Sequence, residues 1–127
     1  MFRTILTAAL CINVEHIGRI LFSNPDTIIH NYGMAFSLLK DYPVLSTVLS
    51  GVAIVIVSLV FVFTELNEAE RLGYSMILGG AISNFAEKIL LGYVIDWIPI
   101  PYFPLTINLA DAEICLGAMI AFLNFRM

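Results

Sequence analysis

Two aspartates, Asp96 and Asp111, are the residues of this sequence with the clearest chemical potential. Asp96 lies between Ile95 and Trp97 in an apolar, proline-rich segment that offers a lone carboxylate no evident partner. Two carboxylates at close range in a partly dry site cannot both ionise, so they share one proton and make a water between them nucleophilic. If the fold brings Asp96 and Asp111 together, their chemistry is that of an aspartic dyad.

The neighbouring polar residues also have structural interpretations that need no chemistry. Asn108, followed three residues later by Asp111, is typical of a helix N-cap with an acidic residue in the first turn. Glu87 and Lys88 could be interfacial residues whose long side chains reach water from the end of a helix. The residue types alone therefore leave a catalytic and a structural interpretation open.

The composition excludes most soluble functions. The chain has 127 residues, of which 60% are hydrophobic and 13% charged, and its mean hydropathy is +0.93. A soluble domain usually has about 45–50% apolar and about 25% charged residues, so this chain could not cover a water-facing surface. The net charge of −4 argues against nucleic-acid binding, which needs a concentrated basic face. The two cysteines and two histidines show no metal-ligand spacing, so we expect no metal and no cofactor.

Apolar segments predict an integral membrane protein. Residues 44–64 are 21 uncharged residues, long enough at 1.5 Å per residue to cross a hydrocarbon core of about 30 Å. Further spans are predicted at about 4–22, 72–91 and 109–125. Residues 1–22 are predicted to be a retained span, because charged residues stand where a signal peptide would carry small ones. The predicted fold is a single all-α membrane domain over residues 1–127, a four-transmembrane-helix bundle.

The connections between the spans differ in character. Glu65, Glu68 and Glu70 predict a solvated acidic loop between the second and third spans. The last connection, residues 92–108, carries three of the five prolines, which exclude a regular helix there. Its aromatic residues suit a membrane interface. We therefore expect a short extended, β-like region at one membrane interface.

Antiparallel spans bring the polar residues to one membrane face. The first long loop, the end of the third span, the last connection and the start of the fourth span share one side. This side collects Asn31, Asn84, Glu87, Lys88, Asp96, Asn108 and Asp111. Ionisable groups beside membrane spans are costly and usually face a bundle interior or a water-filled cavity. Gly80, Asn84 and Lys88 lie on one stripe of the third span, as expected for a close helix contact with a site at its end. Lys and Arg residues divide evenly between the two sides, so charge alone predicts no orientation.

Four short motifs occur in order between residues 31 and 111. They are Asn-Tyr-Gly-Met-Ala-Phe-Ser at 31–37, Gly-Gly-Ala-Ile-Ser-Asn at 79–84, Gly-Tyr-Val-Ile-Asp-Trp at 92–97 and Asn-Leu-Ala-Asp at 108–111. These motifs resemble the N-x-G-A-A-F-S, G-G-A-x-x-N, G-x-V-x-D-F and F-N-x-A-D boxes of the lipoprotein signal peptidases, also called signal peptidase II. Each match is weak alone, but four in register are specific to the family.

The resemblance implies an integral-membrane aspartic endopeptidase that cleaves the signal peptide of a lipid-modified prolipoprotein just before the lipidated cysteine. On this resemblance Asp96 and Asp111 would be the catalytic pair. The positions that would bind substrate or orient the pair are Asn31, Asn84, Lys88 and Asn108. The resemblance also implies a multi-pass protein of the bacterial cytoplasmic (inner) membrane, surrounded by lipid, with both termini cytoplasmic and the site at the outer face.

Several positions depart from the family's pattern. Glu87-Lys88 stands where the family has Asp-Arg, and Lys would bind as a point charge because it lacks the planar fork of Arg. On the first span, Glu15 and Arg19 stand near the family's L-D-Q box and its later Lys. Trp97 replaces a Phe, and the first outer loop is shorter than is usual. No departure removes either aspartate of the predicted pair.

Two other functions stay open from the sequence. The altered Glu87-Lys88 box and the short loop also fit a non-catalytic or substrate-diverged paralogue, which would bind lipidated peptides, a membrane partner or a peptidase-directed antibiotic. Ser37 and Lys40 have the S-x-x-K spacing of serine peptidases in which a lysine activates a hydroxyl, although this spacing arises readily by chance.

Overall fold

A computed structural model of the chain describes residues 1–34 and 38–125, and this part is mostly helical. Its long helices are α1 (Phe2–Phe22), α2 (Pro43–Phe63), α3 (Glu68–Leu91) and α4 (Leu109–Leu123). Short strands lie in the connections: β1 (Ile29–Asn31), β2 (Val94–Asp96), β3 (Ile98–Pro99) and β4 (Thr106–Ile107). The predicted helical architecture with extended connections is confirmed. Residues 35–37 lie outside the described residues, and with them Ser37 of the S-x-x-K spacing.

Among the described residues, α1 and α2 are long and apolar enough to cross a membrane. Large apolar side chains at both ends of α2 point outward, with Val44 77% exposed and Phe63 81% exposed. Such a surface suits lipid rather than water. Helix α4 has 15 residues, fewer than the roughly 20 that a membrane span needs, and α3 carries charged residues near both ends. The count of four spans therefore stays a prediction.

The start of α3 differs from the prediction. The helix begins at Glu68 rather than near residue 72, because Asn67 and Glu70 form a capping box. The Glu70 N–H donates to the Asn67 side chain at 2.9 Å, and the Asn67 N–H donates to the Glu70 carboxylate at 2.8 Å. Glu70 is 6% exposed, so the prediction of a solvated acidic loop is wrong for this residue.

Helices α1 and α4 pack on α3 through glycines. A Cβ added at Gly73 would lie 2.5 Å from the carbonyl oxygen of Gly117, and one at Gly80 would lie 2.5 Å from that of Ala110. A Cβ added at Gly79 would lie 2.9 Å from the carbonyl oxygen of Ala8 in α1. Side chains cannot occupy such spaces, so the glycines allow backbones to approach closely. The close helix contact predicted for the Gly80 stripe is confirmed.

Antiparallel strand pairing joins the first loop to the last connection. Strand β1 pairs with β2, with Ile29 opposite Asp96 and Asn31 opposite Val94. Strand β3 pairs with β4, with Ile98 opposite Ile107. The proline-rich connection is extended, as predicted. The pairing of β1 with β2 brings Asn31 next to the strand that ends in Asp96.

Candidate active site

Asp96 is held at the end of β2 by amide groups from two different segments. Its side chain is almost fully enclosed, with the residue 4% exposed. The Asn31 side-chain NH₂ donates to Asp96 Oδ2 at 3.1 Å, and the Asn108 side-chain NH₂ donates to Asp96 Oδ1 at 3.1 Å. Asn31 also accepts the Gly33 N–H at 2.9 Å, which fixes its own side chain. Both carboxylate oxygens of Asp96 are therefore oriented by neutral donors.

Asp111 lies in the first turn of α4 and has its own set of donors. The Asn84 side-chain NH₂ donates to Asp111 Oδ1 at 2.9 Å, and the Asn108 backbone N–H donates to Asp111 Oδ2 at 3.3 Å. In return, the Asp111 N–H donates to the Asn108 side-chain oxygen at 2.8 Å. This reciprocal pair is a capping box, so the structural interpretation of Asn108 and Asp111 is confirmed.

Asn108 also connects the two aspartates, which a cap alone would not do. Its side-chain NH₂ bonds Asp96 and also donates to Asn84 Oδ1 at 3.0 Å, and the residue is 1% exposed. A continuous hydrogen-bonded chain thus runs from Asn31 through Asp96, Asn108 and Asn84 to Asp111. The expected meeting of polar residues from four separate segments, the first loop, α3, the last connection and the start of α4, is present.

A cavity of about 250 Å³ opens beside both carboxylates. Its polar wall includes Asn31, Asn84, Lys88, Asp96 and Asp111. Its apolar wall is formed by small and branched side chains of α2, α3 and α4: Ala53, Val57, Ile77, Ala81 and Ile114. A site with convergent polar groups at one end and an apolar surface at the other fits an amphipathic ligand.

Lys88 lies in this cavity wall, but its ammonium group bonds to α2. The Nζ atom donates to Ser46 Oγ and to Ser50 Oγ, both at 2.9 Å. Lys88 is 8% exposed and Glu87 is 6% exposed, so the interpretation of both as residues reaching to water is wrong. Ser46 and Ser50 were not predicted as site residues, although two serines four residues apart in an uncharged span indicate a shared polar partner.

Of the seven residues predicted to converge, Glu87 is the one that neither lines the cavity nor joins the hydrogen-bonded chain between the two aspartates. Its carboxylate accepts a hydrogen bond from Arg19 of α1 and another from the Ile95 N–H at 2.8 Å. Glu87 therefore lies behind the strand that carries Asp96. Lys40, the other member of the S-x-x-K spacing, is exposed.

A sequence model described as Signal peptidase (SPase) II matches residues 16–127 of the chain. The chain belongs to the signal peptidase II family. It is 37% identical over 98 residues to the lipoprotein signal peptidase of Caldanaerobacter subterraneus subsp. tengcongensis, a match that covers 74% of this chain and 65% of that protein. It is 36% identical over 103 residues to the lipoprotein signal peptidase of Caulobacter vibrioides, covering 77% of this chain and 61% of that protein. The chain thus spans less than two thirds of the length of these relatives.

Two solved structures share the fold. One, described as a bacterial membrane enzyme at 2.3 Å resolution, superimposes with a TM-score of 0.83 over 97% of this chain and 87% of its own. A second, described as a bacterial membrane enzyme at 1.9 Å resolution, has a TM-score of 0.79 over 97% of this chain and 92% of its own. Both are 18% identical to this chain, so the likeness shows the fold alone. Together with the apolar helices, family membership identifies a membrane protein.

Burial sets the protonation behaviour of Asp96 in this family member. Enclosure by the surrounding segments, and after it the charge of the neighbouring Asp111, raise the pKa of Asp96 to about 7. The hydrogen bonds from Asn31 and Asn108 stabilise the carboxylate and act in the opposite direction. Asp96 therefore exchanges a proton near neutral pH, as a general acid or base must. The described residues contain no cluster of three or more His, Cys, Asp or Glu that could bind a metal.

Proposed function

We propose that the chain is a membrane aspartic endopeptidase that removes signal peptides from lipid-modified prolipoproteins, cutting just before the lipidated cysteine. The observation that carries the proposal is the single hydrogen-bonded chain joining Asp96 and Asp111 beside one cavity. Membership in the signal peptidase II family supports the same activity. Relatives named lipoprotein signal peptidase support the choice of substrate.

In the proposed reaction, Asp96 and Asp111 share one proton. The ionised carboxylate takes a proton from a water molecule while the water oxygen adds to the scissile carbonyl carbon. The protonated carboxyl group gives its proton to the carbonyl oxygen, which produces a neutral tetrahedral intermediate. When this intermediate collapses, the C–N bond breaks and the carboxyl group that took the water proton gives it to the leaving nitrogen of the lipidated cysteine. The other carboxylate takes a proton from a hydroxyl group of the intermediate. The two aspartates end the cycle with one shared proton, as they began.

The remaining polar residues would position the dyad and the substrate. Asn31, Asn84 and Asn108 keep their amide donors on the carboxylates and so fix the orientation in which the carboxylates activate water. Lys88 would bind a substrate carbonyl or headgroup oxygen as a point charge from the cavity wall. The apolar wall of the cavity would take the acyl chains of the substrate.

The proposed placement in the membrane has four helices crossing the bacterial inner membrane, with both termini cytoplasmic. Asp96 and Asp111 would then lie at the outer face, where lipid gives way to water. The clustering of Asn31, Asn84, Lys88 and the two aspartates at one end of the helices supports this placement. Labelling of single introduced cysteines at each loop with a membrane-impermeant reagent tests it.

The activity is tested with purified protein in detergent and a synthetic diacylglyceryl-modified signal peptide, with mass spectrometry of the products. We expect cleavage immediately before the lipidated cysteine and loss of at least 1,000-fold in rate for Asp96→Asn and for Asp111→Asn (about 4 kcal/mol). Glu113→Gln is the matched control, since this carboxylate also lies in α4 but does not line the cavity described here. Cleavage at the wild-type rate by either Asp variant would refute the proposed dyad.

A non-catalytic relative is the second candidate, and the bonding of Lys88 favours it. Two of the three N–H donors of the Lys88 ammonium group already bond serine hydroxyls of α2, which leaves one donor for a substrate. Such a protein would bind a lipidated peptide, a membrane partner or a globomycin-like inhibitor without turnover. Tight binding of the inhibitor with no product from any lipidated peptide would support this function instead.

A further inference from the structure

A buried group of charged residues lies behind Asp96, on the side away from the cavity. This ionic cluster consists of Glu15 and Arg19 on α1 and Glu87 on α3. Arg19 donates a hydrogen bond to Glu87 Oε1, and its guanidinium lies 3.9 Å from the Glu15 carboxylate. Glu15 is 1% exposed. Within the described part of the chain, the cavity wall includes none of the three, so they do not meet a ligand there.

Glu15 bonds to both segments that carry the proposed dyad. Its Oε2 accepts the backbone N–H of Leu109 at 2.6 Å and that of Ala110 at 3.2 Å, which are orphan donors at the start of α4. Its Oε1 accepts the indole N–H of Trp97 at 2.9 Å. One carboxylate of α1 therefore ties the N-terminus of the helix that carries Asp111 to the residue next to Asp96.

Glu87 completes the arrangement from the other side of Asp96. Its Oε2 accepts the Ile95 N–H at 2.8 Å, while Trp97 is bound to Glu15. The residues immediately before and after Asp96 are thus both attached to the ionic cluster, and Arg19 links the two attachments.

The charges of the cluster are balanced in a way that needs the start of α4. Two carboxylates and one guanidinium leave one excess negative charge. The positive end of the α4 dipole and the Leu109 and Ala110 N–H groups, which donate to Glu15, offset this charge. Removing charges from water is costly, and a buried ion pair is often no more stabilising than apolar residues of the same size. Its best-attested benefit is that it specifies one arrangement of the segments that it joins.

We propose that Glu15, Arg19 and Glu87 are positioning residues that set the separation of the Asp96 and Asp111 carboxylates from behind the site. This inference rests on the proposed function, because positioning has a kinetic consequence only if the two aspartates act together. Trp97 contributes to the same positioning, because its indole N–H donates to Glu15, a bond that a Phe at this position could not make.

The test compares Glu15→Gln and Trp97→Phe with the control Glu65→Gln, another carboxylate-to-amide change. Glu65 is exposed in the connection between α2 and α3 and does not line the cavity. We expect Glu15→Gln to lower kcat at least tenfold with KM within twofold and to shift the pH profile of kcat. Trp97→Phe should lower kcat three- to tenfold. When it is added to Glu15→Gln, it should cause no further fall in kcat. Glu65→Gln should stay within twofold of wild type in both constants.

Trp97 also reports the cluster directly, because it is the single tryptophan of the chain. Its fluorescence emission should shift in Glu15→Gln and stay unchanged in Glu65→Gln. A folded Glu15→Gln protein with unchanged kcat, pH profile and emission would overturn the inference while leaving the dyad intact. A rise in KM with unchanged kcat would overturn it too, because residues that only position the dyad do not bind substrate.

Failure of the proposed function is recognised separately. If wild-type protein cleaves no lipidated peptide, the proposed function fails, and the cluster is judged by hydrogen exchange at the Ile95 and Leu109 amides. Faster exchange of Leu109 in Glu15→Gln and of Ile95 in Glu87→Gln would still support the positioning role. Unchanged protection of both amides would refute it.

Discussion

Asn108 should have two separable roles, because its side chain caps α4 with one atom and bonds the site with another. The oxygen accepts the Asp111 N–H, while the NH₂ group donates to Asp96 and Asn84. Serine is as good an N-cap as asparagine but has no amide donors to spare. Asn108→Ser therefore removes the site bonds and keeps the cap, whereas Asn108→Ala removes both.

The sizes of the two effects follow from these contacts. Loss of an N-cap costs about 1 kcal/mol of stability, so Asn108→Ala should be about 1 kcal/mol less stable than Asn108→Ser. A hydrogen bond to a charged group is worth about 1.5–3 kcal/mol, which corresponds to a fall of about 10- to 100-fold in kcat. Because both variants lose the donor to Asp96, we expect the same loss of kcat in both.

The matched control lies at the start of α3, where Asn67 and Glu70 form the same capping box away from the cavity. Asn67→Ala should lose about 1 kcal/mol relative to Asn67→Ser, with kcat unchanged in both. Thermal unfolding in detergent and cleavage of a lipidated peptide measure the two properties on the same samples. If Asn108→Ser keeps wild-type kcat, the amide donors are unnecessary, and Asn108 is a helix cap and nothing more.

Three further predictions concern pH, packing and binding. The pKa of Asp96 is raised from 3.8 to about 7, so this group stabilises the folded protein below pH 4 and loses that contribution, up to about 4 kcal/mol, as pH rises to 7. Asp96→Asn should remove this pH dependence from thermal unfolding, and an identical pH dependence in the variant would contradict the burial argument. Gly117→Ala should lower the free energy of unfolding by about 1–3 kcal/mol, because its Cβ would lie 2.5 Å from the carbonyl oxygen of Gly73 in α3. Gly51→Ala should lower it less, because its Cβ meets the Phe85 ring, which can shift; equal melting temperatures of the two variants would contradict this packing. Lys88→Met should raise KM for a lipidated peptide tenfold or more, and an unchanged KM would exclude Lys88 from binding.

Local patterns in the sequence predict much of this fold. The uncharged run at 44–64 corresponds to α2, and the prolines of residues 92–108 correspond to extended strands. Antiparallel helices have only two ends, so the chain order alone places Asn31, Asn84 and Asp111 at the same end. The cap at Asn108 was predictable because a capping box is a relation between residues three apart.

Contacts between distant segments were beyond such patterns. The bond between Glu15 and Trp97 joins residues 82 positions apart, and no local signal pairs them. The bond from Lys88 to Ser46 depends on how α2 turns toward α3, which an evenly apolar helix does not reveal. The acidic stretch before α3 was misinterpreted because charge suggested a loop, while the reciprocal bonds of Glu70 start the helix earlier.

The cooperation of Asp96 and Asp111 is measured most directly by the cleavage rates of Asp96→Asn, Asp111→Asn and the double variant on one lipidated peptide. Two groups that share a single proton act as one unit, so the second substitution should cost nothing beyond the first. We therefore predict that the double variant is as slow as the slower single variant. Losses that multiply, with the double variant slower by the product of the two single effects, would show that the aspartates act independently and would contradict the dyad.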